Sequence, residues 1–281
     1  MRIVQITDTH IMKEGELLYG TTDTAKHLRA VIAEVNSADP KIDCVLITGD
    51  LVEQPNEEAF HHFKKIISGI KPTSFLLPGN HDNPEMMAKV FEGGQEFPPL
   101  EEPFQYTLED FEVRILMLNS HQAGSDLPAF GKDRLAWLEQ TLATSKKPVL
   151  IAIHHPPMET GMSMVDMVGP EWYQGLDHLI AKSPEVKLVI CGHAHSTLTG
   201  TLGGVPVYMA SSSAYQLAVP RGLDRAPFFI SMPASAVLHE WNGDHFRSGP
   251  QAWPAGSDEK RIDALSGMDW DSLKKSMRGK K

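Results

Sequence analysis

Residues 44–50 read Cys-Val-Leu-Ile-Thr-Gly-Asp, an apolar run that ends directly on a glycine and an aspartate. A short run of this kind is typical of a strand buried on both faces. The pattern recurs where predicted strands Arg2–Thr7, Thr73–Leu77, Pro148–Ile153 and Lys187–Cys191 precede Asp8-Thr9-His10, Gly79-Asn80-His81-Asp82, His154-His155-Pro156-Pro157 and Gly192-His193-Ala194-His195. Five strand ends that each carry Asp, Asn or His predict one rim of a sheet lined with metal ligands.

The bulk composition is that of an ordinary globular protein. Its 281 residues are 41% hydrophobic and 22% charged, with a net charge of −10, and an acidic chain is a poor candidate for binding a nucleic-acid polymer. No apolar stretch approaches the roughly 20 residues that span a bilayer, and no secretory leader precedes the first predicted strand. Cys44 and Cys191 both lie in apolar runs. We therefore expect reduced thiols, a cytoplasmic location and no membrane partner.

Strand and helix signals alternate along most of the chain. Helices are expected at 23–36, 56–69, 84–92, 132–144 and 172–182, further strands at 104–108 and 113–119, and a Met- and Gly-rich loop at 158–169. Apolar strands alternating with helices predict a sheet covered on both faces. Short alternating segments from about residue 196 predict hairpins in a second sheet. We expect an α/β fold with four layers, an α/β/β/α sandwich, over residues 1–248, and a peripheral C-terminal tail at 249–281.

The motif residues have the chemistry of metal ligands. Asp8 and His10 are two residues apart, as are His193 and His195, so in an extended segment each pair points the same way. Asp50 offers two carboxylate oxygens that can bridge two ions. Because no thiolate is present, a closed structural zinc site is disfavoured, whereas carboxylate, imidazole and amide oxygen suit Fe, Mn, Zn or Co. Two such ions ~3.5–4 Å apart can clamp a phosphoryl group.

The ordered series of motifs resembles the calcineurin-like metallophosphoesterase superfamily, and within it the branch of bacterial class III cyclic-nucleotide phosphodiesterases and glycerophosphodiesterases. The resemblance covers residues 8 to 195 and implies a binuclear metal centre. The ligands that it implies are Asp8, His10 and His195 for the first metal, Asp50 as the bridge, and Asn80, His154 and His193 for the second. It also implies that His81 is not a ligand but contacts the phosphate and protonates the leaving alkoxide.

The residues and the resemblance together predict hydrolysis of small phosphodiesters, either cyclic nucleotides or glycerophosphodiesters. A metal-bound hydroxide is expected to attack phosphorus, with Asn80 and the metals neutralising the non-bridging oxygens and His81 acting as general acid. Two alternatives stay open, a phosphomonoesterase of the same fold and a non-catalytic metal-binding scaffold. A decayed scaffold would be expected to lack a ligand, and all seven are present here.

Five further residues are candidates for the substrate pocket or for contacts behind the ligands, namely Thr9, Tyr19, Asp82, His121 and His155. Thr9 could place a hydroxyl near the phosphate or serve its loop. Asp82 is expected to orient its own loop, and His155 to pack or hydrogen-bond behind His154, although it could be the ligand instead. His121 follows another strand end and Tyr19 lies in the loop after the first motif. The 158–169 loop could be a lid or a subunit contact, and the late hairpins could support a homo-oligomer.

Overall fold

Thirteen strands and seven helices can be assigned in the described part of the chain. The computed structural model describes residues 1–94, 97, 104–218, 227–231, 236–250 and 267–277. The strands are β1 (Arg2–Ile6), β2 (Cys44–Thr48), β3 (Thr73–Leu77), β4 (Tyr106–Leu108), β5 (Arg114–Leu118), β6 (Val149–Ile153), β7 (Val186–Cys191), β8 (Leu198–Leu202), β9 (Val205–Met209), β10 (Gln216–Ala218), β11 (Phe228–Ile230), β12 (Val237–Trp241) and β13 (Phe246–Pro250). The helices are α1 (Thr24–Ser37), α2 (Glu57–Ile67), α3 (Pro84–Val90), α4 (Lys132–Ala143), α5 (Ser163–Asp166), α6 (Gln174–Ile180) and α7 (Trp270–Met277).

Two mixed sheets form the centre of the fold. The first has the order β13-β12-β1-β2-β3 and the second has the order β4-β5-β6-β7-β9-β8, while β10 and β11 form a separate pair. Strands β1 to β3 are parallel to one another, and so are β5 to β7. Helices α1 to α3 pack on the first sheet, and α4 and α6 pack on the second. The predicted α/β/β/α sandwich is confirmed.

Side-chain alternation in the second sheet shows how the layers are filled. In β5, Ile115 and Met117 belong to the core shared with the first sheet, whereas Leu116 and Leu118 pack with the helices outside. This is the two-residue period of a strand whose faces are both buried. One polar group also bridges the sheets, because Nε2 of Gln5 donates to Oγ1 of Thr48 at 2.8 Å and to the Cys191 carbonyl at 2.9 Å.

The prediction that all five motifs line the rim of one sheet is wrong. The motifs after β1, β2 and β3 belong to the first sheet, and those after β6 and β7 belong to the second. The reason is that β5 pairs with β6 and not with β3, so a new sheet begins in the middle of the chain. The two sheets pack with these carboxyl ends side by side, which still brings the motifs together.

The late hairpins are also divided between the sheets, where the second sheet alone was predicted. β8 and β9 complete the second sheet. β12 instead pairs with β1, with Arg2 opposite Glu240 and Gln5 opposite Val237, and β13 follows it at the edge of the first sheet. Alternation within a strand does not indicate which neighbour it will pair with, and this is why the assignment of β12 and β13 failed.

Two segments differ from the predicted boundaries. The stretch 158–169, predicted as a loop, contains the short helix α5, and the Asp166 carboxylate accepts hydrogen bonds from the main-chain N–H of Thr160 and of Gly161. β13 continues to Pro250, beyond residue 248, where the predicted domain ends and the predicted C-terminal tail begins. That domain boundary stays a prediction. Of the predicted tail the structure describes residues 249–250 and 267–277, which include α7; its other residues lie outside the described part. No helix in the described ranges combines the length and the hydrophobicity that crossing a membrane requires.

Candidate metal centre

The seven predicted ligands converge where the carboxyl ends of the two sheets meet. One set consists of Asp8, His10, Asp50 and His195, whose ligand atoms all lie within 4.8 Å of one another. On the other side of Asp50, Oδ1 of Asn80 lies 3.1 Å from Nε2 of His154 and 2.9 Å from Nδ1 of His193. We call these the first donor group (Asp8, His10, Asp50 and His195) and the second donor group (Asp50, Asn80, His154 and His193).

Asp50 lies between the two donor groups. Its Oδ2 is 3.6 Å from Nε2 of His10, and its Oδ1 is 3.3 Å from Nε2 of His154. The side chain is 2% exposed. One carboxylate oxygen therefore faces each group, which is the arrangement that a ligand shared by two ions requires.

The histidines present lone pairs to the centre. Nδ1 of His154 donates to the Thr48 carbonyl at 2.9 Å, and Nδ1 of His195 donates to the Tyr215 carbonyl at 3.0 Å. A carbonyl only accepts, so in each neutral ring Nε2 is left with its lone pair. Nε2 of His195 lies 3.0 Å from Nε2 of His10 and 3.4 Å from Oδ1 of Asp8. Lone pairs that converge on one another need a cation between them. The ligand atoms of this cluster therefore fit metal ions.

The charges of the buried cluster are strongly coupled. Burial opposes the charged form of His154, but the Asp50 carboxylate outweighs it and raises the pKa of His154 to about 9. Burial would also raise the pKa of Asp50, yet His154 and His10 hold it well below its usual range. Burial lowers the pKa of His193 to about 3. In the protein alone, the Asp50 carboxylate is therefore charged and lies beside a protonated His154, whose positive charge balances it.

The strand ends reach this cluster through an uncommon backbone conformation. Five of the proposed ligands have positive φ angles, namely Asp8 (53°), His10 (41°), Asp50 (50°), His193 (74°) and His195 (47°). Left-handed conformation is costly for residues with a side chain and is concentrated at functional sites. Strands β1, β2 and β7 are therefore each followed by ligands in left-handed conformation, whereas Asn80 after β3 and His154 after β6 are not.

Two glycines allow the motif loops to approach one another. A Cβ at Gly79 would overlap Oδ1 and the main-chain nitrogen of Asp50, and a Cβ at Gly192 would overlap the side chains of Thr7 and Asp8. Neither glycine has a positive φ, so the requirement at both positions is space and not conformation. Each glycine permits direct contact between a motif of one strand and the ligand of another.

Three of the other candidate residues lie behind the ligands. The buried Asp82 carboxylate accepts from the main-chain N–H of Leu51 and Gly79, and burial followed by the nearby Asp50 charge raises its pKa to about 7. Thr9 is fully buried, and its hydroxyl donates to the Leu51 carbonyl at 2.6 Å, so it ties its loop to the segment after β2. Nitrogens of His155 contact Oγ of Ser120 and the Asp126 carbonyl. One of them nevertheless lies within 4.8 Å of ligand nitrogens of His154 and His193, so a metal-binding role of His155 stays a prediction.

The remaining candidates surround the centre. Nδ1 of His81 donates to the Glu53 carbonyl at 2.9 Å, which directs Nε2 away from the main chain, and the side chain is 34% exposed. His121 is half-buried and lines a cavity beside the second donor group. Tyr19 is 65% exposed, and its ring meets those of Tyr215 and Phe229 edge to face.

Sequence reasoning missed three contributors to the centre. The Glu53 carboxylate accepts from Nδ1 of His10 at 2.7 Å, and the carbonyls of Thr48 and Tyr215 orient two other histidines. Glu53 lies only three residues after Asp50 and carries a carboxylate, which is the type of partner that metal-binding histidines usually have. The two carbonyls have no signal in the sequence.

The fold and the donor set define the class of the protein. The chain belongs to the calcineurin-like phosphoesterase family, whose sequence model matches residues 1–197. It is 34% identical over 248 residues to a protein of Arcobacter nitrofigilis named probable glycerophosphodiester phosphodiesterase, with 86% of this chain and 89% of the relative covered. It is 31% identical over 201 residues to the 3′,5′-cyclic adenosine monophosphate phosphodiesterase of Escherichia coli, with 70% of each chain covered.

A solved structure agrees with the fold. A dimetal phosphatase from Danio rerio superposes with a TM-score of 0.64 at 14% identity, covering 89% of this chain and 95% of the other. At that identity the likeness concerns the fold alone.

Proposed function

We propose that this protein is a phosphodiesterase that holds two metal ions and hydrolyses small phosphodiesters, either glycerophosphodiesters or cyclic nucleotides. The observation that carries the proposal is the position of Asp50, whose two oxygens face two separate groups of acceptor atoms. The relatives named as glycerophosphodiester and cyclic nucleotide phosphodiesterases support the substrate class.

The donor groups divide the ligands between the ions. Asp8, His10 and His195 would hold the first ion, and Asn80, His154 and His193 the second, with Asp50 shared between them. When bound, two such ions supply Lewis acidity toward the phosphoryl oxygens and lower the pKa of water enough for it to act as a nucleophile at neutral pH. Mixed imidazole, carboxylate and amide ligands suit Fe, Mn, Zn or Co.

In the proposed hydrolysis, His81 donates the proton to the leaving group. Its main-chain N–H donates to Oδ1 of Asp50 at 3.0 Å, and its Nδ1 donates to the Glu53 carbonyl, so both the backbone and the ring are held beside the bridge. Its Nε2 is then the nitrogen available to an incoming ester. An alkoxide is a poor leaving group, so protonation of the ester oxygen as the P–O bond breaks lowers the barrier. Asn80 lies next to it and supplies its amide to the same region.

A cytoplasmic location belongs to the same proposal. Both Cys44 and Cys191 are free and buried, which suits a reducing compartment. A homo-oligomer built on the late hairpins stays a prediction.

The decisive experiment measures turnover of bis(p-nitrophenyl) phosphate and of p-nitrophenyl phosphate. Protein freed of metal by chelation would be reloaded separately with Fe, Mn, Zn and Co. We expect diester hydrolysis with at least one metal and its loss in Asp50→Asn. A clear preference for the monoester would instead establish a phosphomonoesterase. No turnover of either ester with any of the four metals would overturn the proposal and leave a scaffold.

A further inference from the structure

A small cavity of about 250 Å³ is lined by the segment that follows the motif after β6 and by the segment that leads into α6. Pro156, Met158 and Glu159 belong to the first segment, and most of residues 165–173 to the second. The described lining residues include none of the seven proposed metal ligands. Because drug-sized ligands typically occupy pockets of about 300–1,000 Å³, this cavity suits a smaller molecule.

The loop around the cavity is held in place by its own hydrogen bonds. Oδ1 of Asp166 accepts from the main-chain N–H of Thr160 at 2.9 Å and from its hydroxyl at 2.8 Å, and Oδ2 accepts from the N–H of Gly161 at 2.7 Å. Met158 packs against β8, where a Cβ at Gly200 would overlap its sulfur. The cavity is therefore a preformed part of this loop.

Two aromatic rings form part of the lining. Trp172 and Tyr173 are both half-buried, and their ring centroids lie 5.4 Å apart with the ring planes at 86°. An aromatic ring attracts a cation that lies within about 6 Å of its centroid. A ligand that fills so small a cavity contacts both rings, so a positive charge on that ligand would be stabilised there.

The charge at the cavity is negative. Glu159 and Asp166 line it, and the lining residues that the structure describes include no Lys or Arg. Burial raises the pKa of the Tyr173 hydroxyl, and the charges of Asp166 and Glu159 raise it further. Both carboxylates therefore act on the aromatic part of the lining, and the charge that complements them is that of a cation.

The hydrogen bonds of the loop indicate which kind of cation fits. A primary ammonium group has three N–H donors that need acceptors, and a hard metal ion needs several oxygen ligands. Three of the four acceptor positions of Asp166 are already used by Thr160 and Gly161. A quaternary ammonium group has no N–H to satisfy, and its methyl groups can pack against Val165 and Val168 as well as the rings.

We propose that this cavity is a binding site for small quaternary ammonium compounds, separate from the metal centre. The rings and the apolar side chains contact the methyl groups, and the two carboxylates balance the charge. His155 connects the two places, because its ring meets that of Trp172 at 6.2 Å and that of the proposed ligand His193 at 4.5 Å. The inference goes beyond the proposed function and does not depend on it, since binding is measured without turnover.

The test titrates choline into the protein by calorimetry at constant ionic strength, with its uncharged isostere 3,3-dimethyl-1-butanol as the control ligand. Trp172→Leu and Glu159→Gln change the cavity, and Trp270→Leu and Glu34→Gln are the matched controls at exposed positions outside its lining. Each titration is carried out on protein loaded with Mn²⁺ and on chelated protein. Unfolding temperatures show which variants are folded, and Glu159→Gln, at an exposed position, decides alone if Trp172→Leu does not fold.

We expect choline to bind the wild type with a Kd of about 1 mM or tighter, and the alcohol to bind at least about tenfold more weakly. The Kd for choline should rise at least about fivefold in Trp172→Leu, the loss of about 1 kcal/mol of cation–π attraction, and about threefold in Glu159→Gln. It should stay unchanged in both controls, with or without Mn²⁺.

Three results would overturn the inference: no saturable binding of choline, equal binding of the alcohol, or an unchanged Kd in the folded cavity variants. Binding that disappears when Mn²⁺ is loaded would place choline at the metal centre and would overturn it as well. Turnover of bis(p-nitrophenyl) phosphate is a separate measurement, so failure of the proposed function is distinguishable from each of these results.

Discussion

The Glu53 carboxylate accepts a hydrogen bond from Nδ1 of His10 at 2.7 Å, while the Glu53 carbonyl accepts one from Nδ1 of His81 at 2.9 Å. One residue therefore orients both a proposed ligand and the proposed acid. The position of Glu53 is set by main-chain pairing that continues past the ends of β1 and β2. The N–H of Ile11 donates to the Leu51 carbonyl, and the N–H of Glu53 donates to the Ile11 carbonyl. The two histidine rings meet edge to face at 4.9 Å.

Glu53→Gln should weaken metal binding. Glutamine can still accept from His10, but it lacks the charge that makes the imidazole a stronger ligand, and loss of such a partner typically lowers metal affinity about 10–100-fold. Calorimetric titration of metal-free protein with Mn²⁺ would measure the change, with Glu34→Gln as the control. Equal dissociation constants for the variant and the wild type would show that Glu53 has no such role.

His81→Ala should affect substrates according to their leaving group. For a diester with an alkoxide leaving group, loss of the acid should lower kcat by about 10²–10⁴-fold. For bis(p-nitrophenyl) phosphate the decrease should be much smaller, because nitrophenolate leaves without protonation. Steady-state kinetics on both substrates provide the comparison. Should both rates fall by the same factor, His81 positions the substrate and does not donate the proton.

Gly192→Ala should disrupt the centre without removing a ligand. The added methyl group would overlap the side chains of Thr7 and Asp8, and such overpacking typically costs about 1–3 kcal/mol. Urea unfolding of the metal-free protein and metal analysis of the loaded protein would show lower stability and lower metal content. Gly249→Ala is the control, since its Cβ would meet nothing within 4 Å. Wild-type stability and metal content in Gly192→Ala would contradict the packing argument.

His239 should make the stability of the fold depend on pH. It is fully buried between the sheets, where Nε2 contacts Oε1 of Gln5 and Nδ1 contacts Oγ of Ser248, and burial lowers its pKa to about 3. The unfolded chain takes up this proton below about pH 6.5. Between these values the unfolded state binds one more proton, so stability falls by about 1.4 kcal/mol for each pH unit of acidification.

The variant His239→Gln isolates this contribution. Urea unfolding of metal-free protein at several values between pH 4 and pH 7 should give a shallower pH dependence for the variant than for the wild type, by about one proton. Above pH 7 the difference between the two proteins should become constant. Parallel curves throughout the acidic range would mean that His239 is protonated in the fold.

The strands and the motif residues were predicted from local sequence patterns. An apolar run followed by Gly-Asp or Gly-His is visible within a few residues, and β2 was predicted to its last residue, Thr48. Pairing between strands is not local, so the division of the motifs between two sheets was missed. It depends on β5 pairing with β6 and on β12 pairing with β1, across a sequence separation of more than 230 residues in the second case.

The supporting shell of the centre was less predictable than the ligands. Glu53 acquires its role through the bridge between Ile11 and Val52, which lies beyond the ends of both strands. The carbonyls of Thr48 and Tyr215 orient His154 and His195, but every residue has a carbonyl and no side chain marks these two. Such contacts become visible only when the backbone path is known.

If the proposed ligands hold two ions, their division between two sheets would make each ion a cross-link. The first donor group takes His195 from the second sheet and its other members from the first, while the second donor group takes Asp50 and Asn80 from the first sheet and two histidines from the second. Neither ion could then keep its ligands if the sheets separated. Under the proposed function, metal release and opening of the interface between the sheets would therefore be one coupled equilibrium, in which the ions stabilise the packed sheets by mass action.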